Sequence, residues 1–481
     1  MEYKWVALSN TTIGTLMSSI DTNIVLIALP TIARDLKGMT TIDVLWVILG
    51  YQLVISSVLV NFGRLSDIFG RVKLYNAGFA IFTLGSALCS ISGSAAELIA
   101  FRLIQATGSG FLFSNSAAIL TDAFPVNERG RALGINQVSI VVGSVTGLIL
   151  GGLLTSYIGW RSIFWVNIPI GGFATAWAYL KLRELSSKNN GERLDVMGNI
   201  LFAAALVIAL LAVTMHAIAG AGLFITLVLL ACSAAVFYAF VRIERRSRFP
   251  MFDFSLFRNP SFTAGNEAIF LNSLSRGSFT LVMVFFLQGP IMGLTPLEAG
   301  IFLIPLSVSL SVMGPISGYL SDIFGHRILV VVGLAVSSAG FLLMTRLGGA
   351  VSEKGLLLPL ILIGAGMGIF ASPNRSSIMN SVPPGRRGIA SGISTTLVNT
   401  GNTLSIGLAF SLMSLATPRE VLDKIFSGET TLTSGFAVDS FLNSVHIVFY
   451  ISTALLAVSI VIYVLEYYLA VKRGQHSQQQ G

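Results

Sequence analysis

Apolar segments of about 20 residues recur along the whole of this 481-residue chain. A helix of about 20 residues crosses a hydrocarbon core about 30 Å thick, because each residue adds about 1.5 Å along the axis. Hydrophobic residues make up 54% of the chain and charged residues only 11%, a composition foreign to soluble domains. We therefore predict an all-α integral membrane protein.

Breaks at charged and Pro/Gly-rich stretches divide the chain into fourteen predicted transmembrane spans. They lie near residues 5–29, 44–62, 74–94, 97–121, 131–156, 162–180, 196–216, 222–241, 263–288, 298–318, 329–347, 356–379, 389–414 and 443–466. An even number places both termini on one side, and that side carries 20 Lys and Arg residues against seven on the other. Because basic residues accumulate on the cytoplasmic side, we expect a multi-pass protein of the cell membrane with both termini inside.

A repeated motif organises the chain. The stretch GRLSDIFGRVKL begins at Gly63 and GYLSDIFGHRIL begins at Gly318, an offset of 255. ERGRALG, which ends at Gly134, and RRGIASG, which ends at Gly392, repeat at an offset of 258. We predict a six-helix bundle over residues 1–185, two inserted helices with flanking loops over 186–258, and a second six-helix bundle with a short tail over 259–481. Two such bundles around a central cavity are typical of transporters.

The motif GRLSDIFGRVKL resembles the signature loop between helices two and three of the major facilitator superfamily. The fourteen spans and the stretches IDTNIVLIALP, GWRSIFWVNIPIG and RFPMFDFSLFRNPSF resemble the fourteen-helix drug/proton antiporter branch of that superfamily. The resemblance implies the major facilitator fold and transport by alternating access. It also implies a cytoplasmic latch built from Gly63, Asp67, Gly70 and Arg71, with Asp322 in the second copy.

Asp21 lies in the first predicted span, about 12 Å from its exit at about 1.5 Å per residue, and is too deep to reach water at the membrane surface. An acid at that depth needs a partner or a cavity and often marks a functional path. Arg102 in the fourth span lies at similar depth and is the expected partner, and the resemblance implicates that arginine in proton coupling. We predict that Asp21 takes up a proton when its surroundings close and dry. The alternative is that the pair only joins two helices.

The ninth span carries three further candidates. Glu267, near its cytoplasmic end, is a second proton-coupling candidate, although an ordinary interfacial acid is an equal alternative. Asn272 and Arg276 lie deeper, and Arg276 needs a counter-charge, carbonyl groups or an anionic group of a substrate. Other polar residues expected to line a substrate path are Thr22, Asn23, Asn115, Asn136 and Gln137.

The fifth span carries a stripe of glycines, Gly143, Gly147, Gly151 and Gly152, on which another helix can pack closely. Their spacing resembles the antiporter motif of the superfamily, and the resemblance implies a gating role. The proline of that motif is replaced by Leu148. The choice between antiport, symport and uniport therefore stays open.

The sequence has no metal-ligand spacing, nucleophile motif or phosphate-binding loop. We expect no enzymatic activity, no cofactor and no metal, and the scattered basic residues do not favour nucleic acid as a partner. The expected function is proton-coupled export of lipophilic, cationic small molecules by a monomer, as in a multidrug/H+ antiporter. One alternative is a carrier of the same fold for a lipid or lysolipid, an amino acid or an organic anion. A membrane sensor is the less favoured alternative.

Overall fold

The computed structural model describes residues 2–36, 38–125, 128–185, 195–215, 223–247, 250, 252–346, 348, 353–383, 386–429 and 435–478. Helices dominate this part of the chain. They form two compact units, each assembled from more than one stretch of sequence.

Unit 1 comprises Met1–Met251, Thr280–Ile304 and Arg419–Ser434. Its helices are α1 Tyr3–Asp35, α2 Thr41–Phe69, α3 Arg71–Ile91, α4 Ala95–Ala123, α5 Arg129–Tyr157, α6 Ser162–Trp165, α7 Asn167–Lys181, α8 Val196–Thr214 and α9 Leu223–Glu244. Helices α11 Phe279–Gln288, α12 Pro296–Phe302 and α17 Arg419–Phe426 also belong to it almost entirely. The unit therefore includes segments that follow the first predicted bundle in sequence.

Unit 2 comprises Phe252–Phe279, Pro305–Pro418 and Gly435–Gly481. It holds a short 3-10 helix, Phe254–Arg258, and six long helices. These are α10 Pro260–Arg276, α13 Ile304–Phe324, α14 His326–Met344, α15 Glu353–Asn380, α16 Arg387–Ala416 and, extending to the C-terminal tail, α18 Gly435–Gln478.

Twelve helices in the described part of the chain are long and apolar enough to cross a membrane. Helices α4 and α16 have 29 and 30 residues, which is sufficient length, but their polar residues lower the hydropathy. The start of α4 lies beside Arg161, which donates to the carbonyl oxygen of Ser92, while its end lies beside Arg71, which donates to Asp122. These contacts are compatible with fourteen spans, and that number stays a prediction.

Three predicted spans contain a helix break. Residues 162–180 form α6 and α7, residues 263–288 form α10 and α11, and residues 298–318 form α12 and part of α13. The break in the ninth span falls at Gly277–Ser278, directly after Arg276, where the Ser278 amide donates to Ser405 Oγ (2.9 Å). A side chain therefore satisfies a backbone group that the broken helix leaves free.

The repeat extends to the backbone. Gly70 and Gly325, at equivalent positions of the repeated loop, both have positive φ (111° and 81°), which favours glycine at these turns. Helices α2 and α12 both begin with a capping box, Thr40 with Asp43 and Thr295 with Glu298. All three pairs, Gly70 with Gly325, Thr40 with Thr295 and Asp43 with Glu298, repeat at the offset of 255.

Candidate functional site

The candidate site of unit 1 is built around Asp21 and Arg102. Arg102 Nη1 donates to Asp21 Oδ2 at 2.6 Å, and the two side chains are 3% and 0% exposed. The expected pairing of α1 with α4 is therefore present. Because the pair is fully buried, each charge depends on the other for compensation.

Three more side chains complete this network. Gln105 Nε2 and Asn167 Nδ2 donate to Asp21 Oδ1 at 2.8 and 3.0 Å, and Arg102 Nη1 also donates to Gln105 Oε1 at 2.6 Å. The Arg102 guanidinium lies 4.1 Å from the ring centroid of Tyr51. Asp21 thus receives three N–H groups from α4 and α7.

The predicted substrate-path residues of unit 1 divide into two groups. Asn115 and Asn136 are buried, and Asn136 joins helices by donating to Thr15 Oγ1 (3.2 Å) and accepting from Ser116 Oγ (3.3 Å). Thr22 and Asn23 are half-buried, and Gln137 is exposed. Only the second group is open to contact with a ligand in this arrangement.

The glycine stripe of α5 faces α1 and α12. A Cβ atom at Gly147 would lie 2.7 Å from the carbonyl oxygen of Ile20, and one at Gly152 would lie 2.6 Å from that of Pro296. Gly143 and Gly151 pack on α1 in the same way. Helix α5 continues without a break past Leu148, where the antiporter motif has proline. The close packing is present, and the proline of the motif is not.

Two of the residues predicted to form the latch, Asp67 and Arg71, form an ion-pair cluster with Asp122. Arg71 Nε donates to Asp67 Oδ1 at 2.8 Å, and Arg71 Nη1 donates to both carboxylate oxygens of Asp122. Glu184 accepts from the backbone amides of Arg71 and Val72, which caps the start of α3. Gly63 makes no close backbone approach, since a Cβ atom there would meet open space. Gly70, by contrast, is required by its positive φ.

Unit 2 places its candidates differently. Glu267 is half-buried, and among the described residues it has no hydrogen bond. Glu466 of α18, which the sequence did not single out, lies near enough for the two carboxylate charges to interact. Asn272 is buried and accepts from Arg276 Nε at 3.0 Å. Asp322 is exposed, and no ion pair involves it in the described part of the chain.

Sequence reasoning missed Gln105, Asn167, Tyr51 and Glu466. Gln105 lies three residues after Arg102 in FRLIQATGSG, and Asn167 lies within GWRSIFWVNIPIG, one of the stretches that resemble the antiporter branch. A depth estimate like that used for Asp21 would have placed Gln105, one turn beyond Arg102, near the same partner. No comparable signal marks Tyr51, since aromatic residues are common in membrane helices.

With the fold and the Asp21 network described, comparison with known proteins identifies the class. The family model of the Major Facilitator Superfamily matches residues 11–406. The chain belongs to that superfamily, and it is a multi-pass membrane transporter rather than an enzyme.

Among its relatives, the riboflavin transporter RibZ of Clostridioides difficile (strain 630) is 32% identical over 85% of this chain and 88% of its own length. The multidrug resistance protein Stp of Mycobacterium tuberculosis (strain CDC 1551 / Oshkosh) is 32% identical over 84% of this chain and 74% of its own. The tetracenomycin C resistance and export protein of Streptomyces glaucescens is 28% identical over 85% and 76%, respectively.

Solved structures support the fold. The crystal structure of a bacterial homolog to the human lysosomal transporter Spinster, in an inward-facing and unoccupied conformation, matches with a TM-score of 0.68. It is 17% identical and is covered over 98% of both chains. At that identity the likeness shows the architecture alone.

Proposed function

We propose that this protein is a proton-coupled secondary active exporter of lipophilic small molecules that works by alternating access. The observation that carries the proposal is the buried pair of Asp21 and Arg102 in a member of this transporter superfamily. Relatives named for multidrug resistance and for tetracenomycin C export support the direction of transport.

The coupling step follows from the burial of Asp21. In the observed arrangement no water can reach its carboxylate. In place of the expectation that closing favours proton uptake, the proposal is therefore that a proton binds only after α1, α4 and α7 separate locally. Protonation would remove the negative charge that holds Arg102, which favours the separated arrangement. Proton binding and conformation are therefore linked, as coupled transport requires.

We assign supporting roles to the remaining candidates. Glu267 is proposed as a second protonation site, because it is half-buried and free of hydrogen bonds in the described part of the chain. The residues assigned to the substrate path are Thr22, Asn23, Gln137, Asn272 and Arg276. Asn115 and Asn136 join that path only if the helices that they connect move apart.

We assign gating to two features of unit 1, the ion pair of Asp67 with Arg71 and the glycine stripe of α5. The proposal places both termini in the cytoplasm, so that Asp67 and Arg71 act at the cytoplasmic face and the α5 glycines act toward the opposite face. Each feature stabilises one closed state, and each must release when the other forms.

Purified protein in proteoliposomes tests the proposal. With an acidic lumen, we expect rhodamine 6G to accumulate inside through the wild-type protein, each dye molecule exchanging for protons. Asp21→Asn should abolish the accumulation, and nigericin, which collapses the pH gradient, should do the same for the wild type. Dye movement that is indifferent to the gradient would contradict proton coupling.

A carrier of the same fold with another cargo is the second candidate. The 32% identity to a protein named as a riboflavin transporter favours it. In addition, Asp21 already accepts three hydrogen bonds, so a preference for cations would have to rest on another acid such as Glu267. The same proteoliposomes loaded with riboflavin distinguish the candidates. Transport of riboflavin but not of rhodamine 6G, at a rate independent of the pH gradient, would favour the carrier.

A further inference from the structure

The internal repeat places Arg276 of the second half one position after the counterpart of Asp21. Gly38 and Gly293 both have positive φ (78° and 61°), and the capping boxes at Thr40 and Thr295 follow each at the same distance. All of these landmarks repeat at the offset of 255. Within α1 and α10 the offset is 254, because Gly143 approaches the carbonyl oxygen of Leu16 whereas Gly401, 258 residues later, approaches that of Phe270. Arg276 is therefore the counterpart of Thr22, the residue after Asp21.

Two partners of Asp21, Arg102 and Gln105, have aliphatic counterparts in the second half. Gly108 packs against Gly78 in the first half as Gly366 packs against Gly333 in the second, which aligns α4 with α15 at an offset of 258. At that offset the counterparts of Arg102 and Gln105 are Leu360 and Ile363, which are 1% and 0% exposed. The second half thus lacks the charged and amide partners that α4 supplies in the first half.

The surroundings of Arg276 leave most of its guanidinium available. In the described part of the chain it forms no ion pair, and its one hydrogen bond is from Nε to Asn272 Oδ1 at 3.0 Å. The side chain is partly exposed, whereas that of Arg102 is buried. Arg276 also ends α10, so the helix dipole offsets part of its charge.

The face of α10 that carries Arg276 is defined by packing. Gly265 packs against Ile378 of α15, and a Cβ atom there would lie 2.5 Å from Ile378 Cγ1. Asn272 and Arg276 follow at i+7 and i+11, which returns to the same face of the helix. An unpaired arginine on that face, more than halfway along the span Pro260–Gln288, must face either water or a negatively charged ligand.

We propose that Arg276 binds an anionic group of the transported molecule, a carboxylate, phosphate or sulfonate. The inference rests on the proposed transport function and adds the charge of the cargo. Arginine suits this role because it remains protonated and its planar fork of N–H groups binds an oxyanion in bidentate fashion. Asn272 holds Nε and so fixes the direction in which the fork points.

Two dyes that share a xanthene ring but differ in charge, fluorescein (anionic) and rhodamine 123 (cationic), test the proposal. Binding is measured by fluorescence anisotropy with purified protein in lipid nanodiscs. We expect the wild type to bind fluorescein more tightly than rhodamine 123. Arg276→Gln should weaken fluorescein binding by about tenfold or more and leave rhodamine 123 unchanged, since a charge-assisted contact is lost.

Three further variants complete the design. Arg276→Lys should retain part of the affinity for fluorescein, because the charge remains without the fork. Arg375→Gln, which removes an exposed arginine of α15, is the matched control and should bind both dyes as the wild type does. Asn272→Ala releases Nε and with it the direction of the fork, and it should weaken fluorescein binding even if Arg276→Gln fails to fold.

The outcomes separate this inference from the proposed function. A wild type that prefers rhodamine 123, or an Arg276→Gln variant that binds fluorescein unchanged, would overturn the anion site. Proteoliposomes that transport neither dye, combined with Arg276-dependent binding of fluorescein, would overturn the exporter and leave the anion site in place. Export of both dyes at the wild-type rate by Arg276→Gln would overturn the anion site and leave the exporter in place.

Discussion

At the scale of single residues, the two deep arginines of this protein differ in how their charge is compensated. Arg102 lies against a carboxylate, an amide oxygen and the ring of Tyr51. Arg276 has the oxygen of Asn272 and the end of a helix. The first arrangement holds two charges in a fixed place, while the second leaves a charge able to accept a partner. The difference agrees with the two proposed roles, Arg102 as the partner of Asp21 in proton coupling and Arg276 as a binding residue for an anionic group.

The stability of the Asp21 network is the first prediction. Asp21→Asn leaves the Arg102 guanidinium buried without a counter-charge, and we expect the free energy of unfolding to fall by about 3–5 kcal/mol. Asp21→Asn combined with Arg102→Gln removes both charges, so the double variant should be more stable than the single one. Thermal unfolding in lipid nanodiscs gives the order of the melting temperatures. Equal melting temperatures for the wild type and Asp21→Asn would show that the pair is not compensating two buried charges.

Depth in the membrane was sufficient to predict Asp21 and Arg102 as partners, because two opposite charges at similar depth in apolar helices have few other choices. The amides of Gln105 and Asn167 were not predictable in the same way. A neutral amide can remain within its own helix, as Asn115 does by donating to the carbonyl oxygen of Phe111. Which amides join the network depends on helix rotation, and rotation is fixed by packing.

At the scale of helices, the glycine stripe of α5 decides how closely that helix approaches α1. A Cβ atom at Gly147 would lie 2.7 Å from a backbone oxygen of α1, which cannot move without shifting the helix. We expect Gly147→Ala to lower the free energy of unfolding by about 1–3 kcal/mol and to slow transport. Thermal unfolding and dye accumulation in proteoliposomes measure the two effects.

Gly134→Ala is the control for this helix, since a Cβ atom at Gly134 would meet open space. Alanine there should be neutral or stabilising by up to about 1 kcal/mol, because glycine is a poor helix former. If both variants behaved alike, helix propensity and not close packing would explain the effect at Gly147.

The two copies of the repeated loop allow a matched comparison. Asp67 receives a hydrogen bond from Arg71, while its equivalent Asp322 is exposed and has no ion pair among the described residues. Asp67→Asn should therefore slow transport several-fold, and Asp322→Asn should change it little. Asp67→Asn should alter stability by about 1 kcal/mol or less, as ion pairs reached by water usually do. Asp322→Asn should alter it less, because no ion pair involves Asp322 among the described residues. Initial rates of dye accumulation in proteoliposomes check the ratio, and a larger loss for Asp322→Asn would contradict the assignment of the latch to the first copy.

The helices themselves were largely predictable, and their breaks were not. Hydropathy located the long apolar helices because the membrane requires that length. It missed the break at Gly277–Ser278, where the Ser405 side chain replaces a helical hydrogen bond, and it missed α17 in a polar loop. Both features depend on contacts between residues that are distant in sequence.

At the scale of the whole molecule, the distribution of basic residues predicts its orientation in the membrane. The predicted terminal side holds 20 Lys and Arg residues against seven on the other side. The positive-inside rule therefore places Glu2 in the cytoplasm and Asp35, at the other end of α1, outside. Both positions are exposed and suit labelling.

Orientation is tested with single cysteines in a chain lacking Cys89 and Cys232, of which the second is exposed and would react. In intact cells a membrane-impermeant maleimide should label Asp35→Cys and spare Glu2→Cys. Permeabilised cells should show both positions labelled, which controls for reactivity. The opposite pattern in intact cells would invert the molecule, place Asp67 and Arg71 at the outer face, and assign the α5 glycine contacts to closure of the cytoplasmic side.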